Sequence, residues 1–102
     1  MTLSASTTTL TGYTPRQLNG YEIEIADAWS HDPSDHAAAR ASMMRWIDDR
    51  VNKLEPGTFS DAQRSGLDFE VDQTIEDNLG RQTSPIAIVD EMNLLMVSYG
   101  LI

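Results

Sequence analysis

Cysteine is absent from this chain of 102 residues, and so is any long apolar run. The first absence excludes a disulfide framework and thiolate metal sites. The longest apolar-rich stretch, residues 86–102, is interrupted by Asp90, Glu91 and Asn93, so no segment approaches the roughly 20 apolar residues of a membrane span. Residues 1–14 lack the basic start and apolar core of a signal peptide. We therefore expect a cytoplasmic protein that does not bind membranes.

Basic residues are scarce. Seven Lys and Arg stand against sixteen Asp and Glu, which gives a formal net charge of -9. Direct binding to nucleic acid is disfavoured, because like charges repel and no basic stripe is available to displace counterions. A protein partner with a basic surface is the partner class that this charge favours.

Catalytic and ligand-binding motifs are also missing. The chain contains no Gly-x-Ser-x-Gly and no Gly-Lys-Ser/Thr. His31 and His36, with Asp32 and Asp35, carry groups that bind metals, but their spacing matches no established ligand pattern and is typical of a polar turn between helices. We expect no enzymatic activity, no metal and no cofactor.

Capping signals predict an all-α fold with four short helices. The length fits one domain, with a Ser/Thr-rich arm at 1–13 and a helical domain at 14–102. Ser or Thr precedes each helix start, with Pro at the first helical position of the first and fourth helices and a capping box before the third. Pro or Gly follows each end. The predicted helices are 15–30, 35–54, 61–79 and 85–99, and their predicted caps are Thr14, Ser34, Ser60 and Ser84.

An α+β fold remains as the alternative. Residues 21–25 and 67–72 alternate strictly between apolar and polar side chains, which is the mark of a half-buried strand. A small sheet around the second helix would use both segments. The all-α prediction is favoured because the helix starts and stops agree along the whole chain.

Apolar residues at three- and four-residue spacing predict the core. The second helix gives the clearest stripe, and Trp46 lies beside it. The residues predicted to be buried are Met43, Ile47, Val51, Ile75, Val89 and Leu95.

An acidic stripe on the third helix is the main candidate for partner binding. Asp68, Asp72 and Glu76 are four residues apart and share one helical face, at about 6 Å per step, which is close to the phosphate step of a nucleic-acid strand. Asp61 and Asp77 lie in the same segment. Phosphate mimicry is one interpretation, and a solvated face that keeps the protein soluble is the other. Trp29, at the end of the first helix, is either an interface anchor or a core residue.

The C-terminal segment predicts self-association or contact with a partner. It is apolar on nearly every side, and three other short helices offer little surface to cover it. The residues expected to form this contact are Leu95, Met96, Tyr99, Leu101 and Ile102.

Two functions are therefore expected. The first is a non-catalytic, acidic protein-binding module that inhibits or adapts a basic partner that handles nucleic acid, in the manner of small inhibitors encoded by phages and mobile elements. The alternative is a structural subunit: a helical building block with an extended N-terminal arm and an apolar C-terminal helix, held in a larger protein assembly.

Overall fold

Four α-helices make up the fold. The computed structural model describes residues 17–31 and 36–102. Its helices are α1 (Gly20–His31), α2 (Ala37–Asn52), α3 (Asp61–Asn78) and α4 (Pro85–Ser98). No strand occurs in the described ranges, and the segments 21–25 and 67–72 are both helical. The all-α prediction is confirmed and the α+β alternative is wrong for this part of the chain.

The helices form a ring in which each packs on its neighbours in sequence and α4 closes back onto α1. Consecutive helices run antiparallel. Glu24 meets Arg45 across α1 and α2, and Arg40 meets Asp72 across α2 and α3. Asn93 reaches Glu22 across α4 and α1. This arrangement is that of an up-and-down four-helix bundle.

Two of the four predicted caps are confirmed. The Ser60 hydroxyl accepts a hydrogen bond from the Gln63 N–H at 3.1 Å, and the Gln63 side chain accepts one from the Ser60 N–H at 2.8 Å, which completes a capping box. The Ser84 hydroxyl accepts from the Ala87 N–H at 3.2 Å, with Pro85 at the first helical position. Backbone donors at the starts of α3 and α4 are thereby satisfied.

The predicted start of the first helix is wrong. Residues 17–19 are not helical, and α1 begins at Gly20. Asn19 caps it: the Asn19 side chain accepts from the Glu22 N–H at 2.8 Å, and Glu22 accepts from the Asn19 N–H at 3.0 Å. The predicted cap at Thr14, the cap at Ser34 and the arm at 1–13 lie outside the described residues. Helix α2 begins at Ala37, two residues later than predicted, with His36 at its N-cap and no side-chain capping hydrogen bond.

One core lies at the centre of the ring. Met43, Ile47 and Val89 are fully buried, as predicted, and so is Trp46. Val51, Ile75 and Leu95 are only partly buried and pack against the edge of this core. The other fully or nearly fully buried apolar residues are Ile25, Trp29, Ala39, Leu67, Val71, Ile88, Met92, Met96 and Leu101.

Candidate protein-binding surface on α3

Helix α3 turns Phe69 outward, away from two buried neighbours. Leu67 and Val71 are buried, but Phe69 between them is 64% exposed. Alternation would place all three on one side of a strand, whereas a helix rotates Phe69 by about 200° from Leu67. A large aromatic side chain is thus left on the outer surface of α3. Phe is among the aromatic residues that are enriched at protein interfaces.

The acidic stripe lies at the seam between α2 and α3, where arginines meet two of its three members. Arg40 Nε lies 2.5 Å from an Asp72 carboxylate oxygen. Arg64, one turn before Asp68, donates to it at 2.8 Å. Arg64 also donates to Asp48 of α2 at 2.6 Å. The shared helical register was predicted from the sequence, but these ion pairs were not.

The ion pairs shift the pKa values of the arginines. The hydrogen bond to Asp72 raises the pKa of Arg40. Partial burial lowers the pKa of Arg64, but its hydrogen bonds to Asp68 and Asp48 outweigh this, and the net shift is upward. Opposite charges that stabilise the protonated guanidinium cause both shifts. Asp72 therefore links α3 to α2 through Arg40, whereas Asp68 is paired with Arg64 within α3. The charges of these two acids are largely balanced within this chain.

Four acids of α3 have no basic partner among the described residues. They are Glu70, whose carboxylate accepts a hydrogen bond from Tyr99, and Asp61, Glu76 and Asp77. Glu76, Asp77 and Asp61 are exposed. Asp61 lies in the first turn, where the helix dipole favours an acid. Glu76 and Asp77 lie near the C-terminal end, where the dipole disfavours negative charge and α3 has no basic residue in its last turn.

A cleft opens beside Glu76 between α2 and α3. Its lining combines the apolar side chains of Ile75 and Leu79 with the carboxylates of Asp72 and Glu76 and the guanidinium of Arg40. A long side chain with an apolar stem and a cationic end fits such a lining, because the stem packs on Ile75 and Leu79 while the end meets Glu76. We use "the α3 face" for Phe69, Glu76, Asp77 and this cleft.

Trp29 is not part of an exposed surface. It is buried, its ring stacks on His36, and its Nε1–H donates to the Thr83 carbonyl at 3.1 Å. Of the two interpretations of Trp29, the structure supports the core residue. Because its ring and its N–H are both engaged within the chain, Trp29 offers nothing to a partner.

The C-terminal residues proposed for self-association lie in different environments. Met96 and Leu101 are buried in the core, Leu95 and Tyr99 are partly buried, and Ile102 is exposed. Gly100 adopts φ 75°, which turns the chain back so that the Leu101 N–H reaches the Met96 carbonyl at 2.9 Å. Arg50 then donates to the Leu101 carbonyl at 2.9 Å. The sequence did not reveal this turn, which covers apolar surface that had seemed free.

The histidines do not form a metal site with described residues. His36 stacks on Trp29. His31 lies at the end of α1, with its Nδ1 2.8 Å from the Asp27 carbonyl oxygen and 3.3 Å from an Asp27 carboxylate oxygen. Across residues 17–31 and 36–102, no three His, Asp or Glu side chains are grouped to hold a metal ion. Asp32 and Asp35 fall outside these ranges. No described helix has the length and apolar character needed to cross a membrane.

Comparison with protein-family models, with curated proteins and with solved structures found no match for this chain.

Proposed function

We propose that this chain is a non-catalytic, acidic protein-binding module, and that the α3 face binds a basic surface of a partner that handles nucleic acid. Phe69 is the observation that carries the proposal. Its ring is 64% exposed on a helix whose exposed charges are mainly acidic. Burying an aromatic ring on a partner is favourable, and acids around it select a basic site.

Helical spacing supports a single contact region around Phe69. Glu76 follows Phe69 by seven residues, and positions seven apart lie on the same side of a helix, about 10 Å apart along its axis. Asp77 adds a second carboxylate at the same end of α3. A partner that buries the Phe69 ring can therefore place Lys or Arg at the cleft beside Glu76 in the same contact.

The position of Glu76 and Asp77 gives a second line of support. Carboxylates near the C-terminal end of a helix cost stability, by about 0.3–1 kcal/mol each. No described base offsets this cost within the chain. Contact with a cationic partner would offset the repulsion between these carboxylates and the negative end of the helix dipole. The two acids would therefore contribute to binding although they do not stabilise the fold.

Phosphate mimicry by the whole stripe has less support. Asp68 and Asp72 are paired with Arg64 and Arg40, so a partner would meet charges that are already balanced. Only Glu76 of the three stripe residues presents an uncompensated carboxylate. The proposal therefore depends on an aromatic anchor with acids at one end, and a regular row of phosphate-like charges is not required.

The test begins with capture of partners from the host and continues with the purified partner. Phe69→Ala should weaken its binding at least about tenfold, as the loss of an interface anchor does. Glu76→Gln with Asp77→Asn should weaken it further at low salt and reduce its dependence on ionic strength. Ile23→Ala removes exposed apolar surface on α1, which lies across the ring from α3, and serves as the matched control. Undiminished binding by Phe69→Ala would show that the α3 face is not the contact.

A further inference from the structure

A cleft opens at the end of the bundle where α1 begins and α2 ends. Its volume is about 400 Å³, which is within the range of small-molecule sites. We propose that this cleft binds a small organic anion. Arg50 and the first backbone N–H groups of α1 would hold its phosphate or carboxylate group, and its apolar part would lie on Tyr21 and Trp46. We call it the α1–α2 cleft, and it shares no residue with the α3 face.

Two parallel aromatic rings line the α1–α2 cleft. Tyr21 of α1 and Trp46 of α2 stack with their centroids 6.5 Å apart and an angle of 12° between the planes. Tyr21 is partly buried and Trp46 is only 2% exposed, so both rings are held in place by packing. Ring surface in a concave site favours a ligand that carries an aromatic or apolar group.

The indole N–H of Trp46 is a donor without a partner. It has no hydrogen-bond acceptor among residues 17–31 and 36–102, whereas the indole N–H of Trp29 donates to the Thr83 carbonyl. A donor on so deeply buried a side chain is unfavourable unless a group outside the fold accepts from it. Since Trp46 lines the cleft, an oxygen of a bound ligand can serve as that acceptor.

The start of α1 supplies two further donors. The Asn19 side chain accepts from the Glu22 N–H, and the Asn19 carbonyl accepts from the Ile23 N–H. The N–H groups of Gly20 and Tyr21, the first two residues of the helix, have no acceptor in the described part of the chain. Both residues line the cleft. Free N–H groups at the positive end of a helix dipole favour an anion.

Arg50 brings a formal positive charge to the same cleft. Its Nε donates to the Leu101 carbonyl at 2.9 Å, and the guanidinium has no ion-pair partner within the described ranges. The bond to Leu101 uses a neutral acceptor, so the charge of Arg50 is not balanced by it. Because Arg50 and Gly20 both line the cleft, an oxyanion can accept charge-assisted hydrogen bonds from the guanidinium and from the helix start together.

Two acids also line the cleft, but each is already paired with a base. Glu24 accepts from Arg45 at 2.8 Å, and this hydrogen bond lowers the pKa of Glu24. Asp49 lies 3.1 Å from the Lys53 ammonium. With these pairs balanced, the charge of Arg50 is left over. The net charge of -9 repels anions at a distance, but salt screens it beyond about 8 Å under physiological conditions, so the local donors determine binding.

The test is NMR titration of the full chain, labelled with ¹⁵N, with phenyl phosphate, benzoate and inorganic phosphate. The first two should shift the amide signals of Gly20 and Tyr21 and the indole N–H signal of Trp46, and the shifts should saturate. Inorganic phosphate should bind about tenfold more weakly, because it has no ring to place on the aromatic side chains. The tighter of phenyl phosphate and benzoate identifies the anionic group that the cleft prefers, and either order supports the proposal.

Three variants test the charged donors. Arg50→Gln should weaken the binding of phenyl phosphate at least about tenfold, because a charge-assisted hydrogen bond is lost. Lys53→Gln should weaken it about threefold, since Asp49 is left unpaired in the cleft. The Lys53 side chain is 62% exposed, so this variant keeps the test valid if circular dichroism shows that Arg50→Gln does not fold. Arg81→Gln makes the same change of charge in the exposed loop after α3 and should leave the affinity unaltered.

Benzylamine tests the sign of the charge that the cleft selects. It carries the same ring on a cationic group, and it should bind at least about tenfold more weakly than benzoate because it meets Arg50 and the start of α1. Equal binding of benzylamine, shifts that do not saturate, or full affinity in both Arg50→Gln and Lys53→Gln would overturn the proposal. Phe69→Ala changes only the α3 face, so its result does not depend on this one.

Discussion

The indole ring of Trp29 lies parallel to the imidazole ring of His36, with centroids 3.5 Å apart and an angle of 6° between the planes. The same indole donates to the Thr83 carbonyl. One side chain thus connects the end of α1, the start of α2 and the loop between α3 and α4. Two neighbouring helix ends and a loop 54 residues further along the chain therefore meet at this side chain.

Trp29→Phe should therefore destabilise the fold although an aromatic ring is retained. The change removes the hydrogen bond to Thr83 and leaves a partly buried carbonyl without its donor, at a cost of about 1–3 kcal/mol. Urea denaturation followed by far-ultraviolet circular dichroism gives the free energy of unfolding. A loss below about 0.5 kcal/mol would mean that water replaces the indole donor.

Ile47→Ala should lower the free energy of unfolding by about 2–5 kcal/mol, as other large-to-small changes in packed cores do. Ile47 is fully buried at the centre of α2. Ile23→Ala is the matched control, because Ile23 has the same side chain but lies mostly in solvent. Its effect should stay within about 0.5 kcal/mol. Equal effects at both positions would contradict the described orientation of the helices.

The ion pairs between α2 and α3 should contribute unequally. Arg40 and Asp72 are about half exposed, so a double-mutant cycle should give a coupling energy of about 0.2–1 kcal/mol. Arg64 is less exposed and meets both Asp48 and Asp68. Arg64→Ala should cost more than Arg40→Ala, since it leaves two carboxylates near each other. In high salt, the Arg40–Asp72 coupling energy should fall by a larger fraction than the cost of Arg64→Ala, because Arg40 and Asp72 are more exposed than Arg64.

Tyr99 should titrate above the ordinary phenol range. Its hydroxyl donates to the Glu70 carboxylate, and this hydrogen bond raises the pKa of Tyr99 because it stabilises the neutral phenol beside a negative charge. The resulting stabilisation is present below the unfolded pKa of about 10 and is lost as pH rises through the higher folded value. Phenolate absorbance should show a titration above the ordinary range, which Glu70→Gln moves towards that range and Tyr99→Phe removes.

Local chemistry made much of the fold predictable. Ser60 and Ser84 cap their helices through backbone groups within three residues, so their role can be inferred from the neighbouring residues in the sequence. Asn19 caps α1 through equally local contacts. Thr14 followed by Pro15 matched the usual start of a helix more closely, so the start of α1 was predicted five residues too early. Gly100 marked the end of α4 correctly. The sequence did not show that the turn after it would return Leu101 to the core.

The candidate surfaces were less predictable, because exposure and pairing depend on contacts between helices. The register of Asp68, Asp72 and Glu76 follows from helical geometry alone. Their arginine partners come from both α2 and α3, and Arg40 is 32 residues from Asp72. Phe69 was grouped with Leu67 and Val71 by the strand alternative. Only its outward rotation on α3 identifies it as a surface residue.

Basic residues are distributed unevenly around the ring of helices, which makes the charge of the described domain asymmetric. Helix α2 carries Arg40, Arg45 and Arg50 against Asp48 and Asp49, whereas acids predominate on each of the other three helices. Because α3 is the most acidic helix and α2 is the only one of the four in which bases outnumber acids, the described domain has an electric dipole whose negative end lies towards α3 and α4. In the field of a cationic body this dipole experiences a torque, which turns α2 away before any contact forms. Encounters would therefore begin on the acidic sides, and fewer collisions would be wasted on the unproductive orientation.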